Sequence, residues 1–67
     1  MIDLHIGDRV HQRLSHDHQG TVIGLLDDGF VVRYDATRDD GGRRRPGGKY
    51  AYRAYQRALF LLGNPEN

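Results

Sequence analysis

Apolar and polar residues alternate through the first half of the chain, and a period of two is the mark of half-buried β-strands. Over residues 8–14, Asp-Arg-Val-His-Gln-Arg-Leu, Val10 and Leu14 fall on one face with polar residues between them. Ser15-His16-Asp17-His18-Gln19 has no apolar residue and reads as a polar loop. Gly20 then opens a run to Leu26 rich in β-branched and aliphatic residues, which predicts a strand with Gly20 as a bend or bulge at its start. Asp27-Asp28-Gly29 separates this run from Phe30-Val31-Val32-Arg33-Tyr34-Asp35 and predicts a hairpin, because Asp and Gly tolerate positive φ. In the second arm Phe30, Val32 and Tyr34 share one face and Val31, Arg33 and Asp35 the other.

The second half is less regular. Residues 36–48 have almost no apolar content and predict a flexible basic loop. Residues 49–62 admit two readings. As strands, Lys49 to Tyr52 forms one, Arg53 to Arg57 a turn or 3₁₀ segment, and Leu59 to Leu62 the last strand. As a helix, Tyr52, Tyr55, Leu59 and Leu62 form an apolar stripe at spacings of three and four. Strand–turn–strand is preferred, because three strands alone close no barrel and leave edges open. Residues 64–67 read as a frayed tail. The expected fold is therefore mainly β, a small five-stranded barrel, with three strands plus a C-terminal helix at 49–62 as the alternative.

Length narrows the picture. Sixty-seven residues make one domain, 1–67, which buries about 60% of its unfolded surface. A core this small supplies about 3–5 kcal/mol of net stability. There is no cysteine, so disulfides and thiolate zinc sites are excluded. A monomer or a weak homo-oligomer is expected. The longest apolar run, Ala58 to Leu62, is too short to span a membrane, and residues 1–6 lack the pattern of a secretory leader, so a cytoplasmic protein is expected.

Charge is unevenly placed. The net charge is +1, yet residues 1–42 carry four arginines against eight aspartates, leaving −4. Residues 43–67 carry Arg43, Arg44, Arg45, Lys49, Arg53 and Arg57 against Glu66 alone, leaving +5. A dipolar surface with one basic side follows.

Gly7-Asp8-Arg9-Val10, a polar gap, Gly20-Thr21-Val22, a turn and Phe30 to Asp35 together resemble the SH3-like barrels of the Tudor and KOW families. The pattern is similar to the Tudor-like tail of UvrD/PcrA-type helicases. The resemblance covers residues 6–35 well and 49–62 loosely. It implies a five-stranded barrel that docks on a larger machine of transcription or DNA handling, such as RNA polymerase. A second resemblance is to the plasmid-type dihydrofolate reductases, small SH3-like barrels that build one active site from four chains. Their Val-Gln-Ile-Tyr run is missing, and the corresponding region reads Tyr50-Ala51-Tyr52-Arg53. The oligomeric reductase reading thus fails at the residues that would carry it.

Candidate chemistry is sparse. His16-Asp17-His18, with His5 or His11, offers ligand types for zinc or nickel but no spacing that makes them converge, so no metal is assigned. Asp27-Asp28 and Asp39-Asp40 precede glycines in turn-like settings without the apolar surroundings that shift a carboxyl pKa. No nucleotide loop or nucleophile elbow is present. The best binding candidates are Arg43, Arg44, Arg45, Lys49, Arg53 and Arg57, interleaved with Tyr50, Tyr52 and Tyr55. Arg and Tyr are common anchors at protein interfaces. Cations with aromatic rings also suit unpaired nucleic acid. The reading is a binding module, not an enzyme, without cofactor, for a protein partner, with nucleic acid as the alternative.

Overall fold

A computed structural model of the chain describes residues 3–38 and 44–63, with backbone alone at 15–18, 37–38 and 44–45. The strands are β1 Arg9–Gln12, β2 Ser15–Leu26, β3 Gly29–Tyr34, β4 Thr37–Arg38, β5 Arg44–Arg45, β6 Lys49–Arg53 and β7 Phe60–Leu62. A 3₁₀ segment, Ala54–Leu59, joins β6 to β7. Five strands make one antiparallel sheet in the order β6-β3-β2-β1-β7, and β4 pairs with β5 in a separate ladder.

The alternation in β3 organises the core. Phe30 and Val32 are fully buried, and Tyr34 packs against the same cluster. Val10 from β1, Val22 from β2 and Phe60 from β7 meet them, with Leu4 from the segment before β1. Burying each such side chain contributes about 1.5–3 kcal/mol. Leu4 is brought in by a turn: the Asp8 carboxylate accepts from the His5 amide at 2.9 Å, and Gly7, at φ +98°, donates its amide to the Val22 carbonyl at 2.7 Å.

The strand–turn–strand reading of 49–62 holds, and the helical stripe does not form. Of the stripe residues, Tyr55 is 77% exposed, Leu62 54% and Leu59 45%. Phe60 is buried in their place. The Arg53 amide donates to the Gln56 side-chain oxygen at 2.8 Å, which starts the 3₁₀ segment. Its two ends are tied to two hairpin turns: the Ala54 amide donates to the Asp28 carbonyl at 2.7 Å, and the Arg13 amide to the Leu59 carbonyl at 2.8 Å. The hydrogen-bond ladder leaves β6 and β7 as the edges. Their side chains nonetheless touch, Tyr52 and Phe60 meeting edge to face at 5.0 Å between ring centroids.

Several local expectations need correction. Leu14 is 93% exposed, because β1 ends at Gln12 and Arg13–Leu14 form a turn. The polar stretch from Ser15 is not a loop but the start of β2, although the β1–β2 register breaks between His11 and Gln12. The expected loop 36–48 carries the β4–β5 ladder, pairing Thr37 with Arg45 and Arg38 with Arg44; residues 39–43 lie outside the described residues, as does the expected tail at 64–67. The bulge in β2 lies between Val22 and Gly24, not at Gly20.

The hairpin at Asp27–Asp28 forms, pairing Leu26 with Gly29, but without positive φ at any of those residues. Gly29 is required for a different reason: a Cβ there would run into the Tyr52 carbonyl oxygen. Gly20 likewise lies where a Cβ would fall 2.6 Å from the Arg33 carbonyl oxygen. Both glycines permit close approach of neighbouring strands.

Candidate functional site

The strand register decides which candidates can face a partner. On β6, Tyr50 lies opposite Val32 and Tyr52 opposite Phe30, so both tyrosines belong to the inner face. Lys49, Ala51 and Arg53 lie opposite Arg33, Val31 and Gly29, and so belong to the outer face. The sequence cluster is thus divided between two sides of one strand.

Tyr52 is a packing residue. Its ring stacks on Phe30 at 5.5 Å, and its hydroxyl meets that of Tyr34 at 2.5 Å. The Gln12 amide donates to the Tyr34 hydroxyl at 2.9 Å. Burial pushes the Tyr34 phenol well above its ordinary pKa, and the hydrogen bond with Tyr52 adds to the shift. Arg57 is also structural, its guanidinium donating to the Phe60 carbonyl at 2.7 Å. Arg53 reaches Asp28 at 3.1 Å, an exposed pair across the turn. Tyr55 stands exposed on the 3₁₀ segment. Arg44 and Arg45 lie in β5, and Arg43 falls outside the described residues.

On β6, Lys49, Ala51 and Arg53 are exposed on the outer face and Tyr50 at the rim; of the two cations, Arg53 is met by Asp28 and Lys49, among the described residues, is not paired. Tyr50 is 58% exposed, contacts Tyr34 edge to face at 5.6 Å, and leans on Gly48, where a Cβ would fall 3.4 Å from its ring.

The residue that the sequence reading did not single out is Arg33. It sits on β3, an interior strand, directly opposite Lys49, and both are exposed. Among the described residues neither forms an ion pair. The alternation of β3 places Arg33 on the polar face, but its pairing with Lys49, far along the chain, follows from the β3–β6 register.

Two adjoining shallow depressions meet at Ile23, Arg33, Tyr34 and Ala36. One extends over Gly47 and Gly48 to Lys49, the other to Thr21 and Asp35. Ile23 faces this surface because the bulge falls on it: the register passes from Val22 to Gly24 and leaves Ile23 unpaired. Asp35 is held by Arg9, whose two terminal nitrogens lie 3.0 and 2.5 Å from its carboxylate oxygens. Those hydrogen bonds lower the Asp35 pKa and raise that of Arg9. Arg9 also donates to the Thr21 hydroxyl at 2.9 Å.

His11 is buried, its Nδ1–H donating to the Gly63 carbonyl at 2.8 Å, which fastens the end of β7 to β1. Among the described residues no group of three or more His, Cys, Asp or Glu is placed to hold a metal ion. Nor is any helix among them long and apolar enough to cross a membrane. No family model, no curated protein and no solved structure matches the chain.

Proposed function

We propose that this chain is a non-enzymatic docking module that binds a protein partner through the outer face of β2, β3 and β6. The observation that carries the reading is the pair Arg33 and Lys49, two exposed cations placed side by side without carboxylates of their own. Like charges directly opposite across a ladder are destabilising. Lysine on an edge strand discourages stray strand pairing, which accounts for Lys49. That reason does not extend to Arg33 on an interior strand. A surface that keeps such a pair beside a groove is suited to an anionic ligand.

We read the fold as an SH3-like barrel of the Tudor/KOW kind. The strand order, with a 3₁₀ segment between the last two strands, and the meeting of Tyr52 with Phe60 across the open edges support this closure. Rigid barrels of this size commonly serve larger assemblies as docking parts, and a cytoplasmic setting accords with the absence of cysteine.

A protein partner is favoured over nucleic acid by charge. Binding to a phosphate backbone is driven by release of many counterions, whereas only Arg33 and Lys49 stand as unpaired cations at this groove among the described residues. Among the described residues no tyrosine of β6 shares the outer face with Lys49: Tyr50 stands at the rim of the inner face, and Tyr34 and Tyr52 pack against the core. The test is affinity capture with the tagged chain, competed by an excess of untagged chain. A protein retained specifically and displaced by the competitor supports docking. Nothing above background, or tight binding of oligonucleotides that falls steeply with salt, overturns it.

A further inference from the structure

The outer face carries a pattern along the strands as well as across them. One row holds Arg33 and Lys49; the next outward-facing row holds Val31 and Ala51. Rows on one face of a sheet are two residues apart, about 7 Å. Ile23, turned out by the bulge, adds aliphatic surface beside Arg33 and is 37% exposed. A cationic step is therefore followed by an aliphatic step. The following row is Arg53, whose charge is met by Asp28.

An extended polypeptide has the same period. Its side chains on one side recur every two residues, again at about 7 Å. Resting on the docking reading above, the geometry points to an extended acidic segment of the partner protein as the occupant. Its Asp or Glu lies between Arg33 and Lys49, and an aliphatic side chain two residues away lies against Ile23 and Val31. Two observations favour this over a nucleic-acid strand. The row beyond the cations is apolar, where a second phosphate would lose its water without gaining a charge. Only two unpaired cations face the groove among the described residues.

The test is a chemical-shift titration of the whole chain with three probes: a blocked decapeptide repeating Glu-Ser-Val-Ser, the same peptide with Lys for Glu, and oligothymidylate. The Glu peptide is expected to shift the amides of Ile23, Val31, Arg33 and Lys49 to saturation. In the folded Arg33→Gln/Lys49→Gln double variant its affinity is expected to fall about tenfold or more. The inference is overturned if the Lys peptide binds equally well, if the shifts map elsewhere, if only oligothymidylate binds, or if no probe binds. A protein captured specifically by the wild type and equally by the double variant leaves a docking module standing, moves its surface off Arg33 and Lys49, and removes this inference.

Discussion

Tyr34 and Tyr52, on strands at two neighbouring positions of the sheet, meet hydroxyl to hydroxyl at 2.5 Å, with Gln12 donating to the same Tyr34 oxygen. The contact joins β1, β3 and β6 through side chains, so a polar network closes one end of an otherwise apolar inner face. Tyr52→Phe removes one hydrogen bond and leaves the ring stacked on Phe30, and is expected to cost about 1 kcal/mol. Tyr52→Ala also removes the contacts with Phe30 and Phe60 and is expected to cost about 3–5 kcal/mol, enough to unfold a domain of this size. Urea unfolding followed by circular dichroism measures both. Equal losses would show that the ring contributes nothing beyond its hydroxyl.

Gly29 tests the reason for a glycine in the hairpin. A side chain there meets the Tyr52 carbonyl, so the β3 and β6 backbones must separate. Gly29→Ala is therefore expected to destabilise by more than the usual preference between the two residues in a strand, and to loosen β6 first. Hydrogen exchange should show amides of β6 losing protection ahead of those of β1 and β2. Wild-type protection throughout would sink the close-approach account.

These two sites show what was legible in the chain. Alternation in residues 30–34 gave the inner face correctly, and the turn at Asp27-Asp28 lay where its residues indicated. The chemistry assigned to Gly29 was mistaken, because backbone crowding between β3 and β6 depends on tertiary pairing that no local pattern encodes. The same limit applied to the binding cluster. Lys49, Tyr50, Tyr52 and Arg53 are adjacent in sequence, but a strand sends successive side chains to opposite faces, and burial then claimed Tyr52. Arg33 is not singled out by the sequence, and His11 is weighed there only as a metal ligand, because each acquires its place from a residue far along the chain, Lys49 and Gly63.

The Arg9–Asp35 pair gives a pH dependence. Asp35 has its folded pKa lowered, mainly by the hydrogen bonds from Arg9. Its contribution is therefore present above the unfolded pKa of about 4 and lost as pH falls through the lower folded value. Both side chains are more than a third exposed, so solvent screening limits the effect to about 0.2–1 kcal/mol. Asp35→Asn is expected to flatten the stability profile below about pH 4 and to leave the slope near neutrality unchanged. Thermal midpoints of the two proteins between acid and neutral pH decide it. An identical acid slope in the variant would remove Asp35 from the account.

Arg33 separates a role in binding from a role in folding. It is exposed, and the cation directly opposite it across β3 and β6 is Lys49. Arg33→Glu places opposite charges where like charges stood, and cross-strand pairs of this kind contribute about 0.2–1 kcal/mol. The variant is thus expected to unfold at a slightly higher temperature than the wild type while losing the captured partner. A residue kept for stability behaves in the opposite way, its replacement costing stability. Loss of partner together with a lowered unfolding midpoint would mean that Arg33 acts through the fold. A raised midpoint with the partner retained would move the docking surface away from β3 and β6.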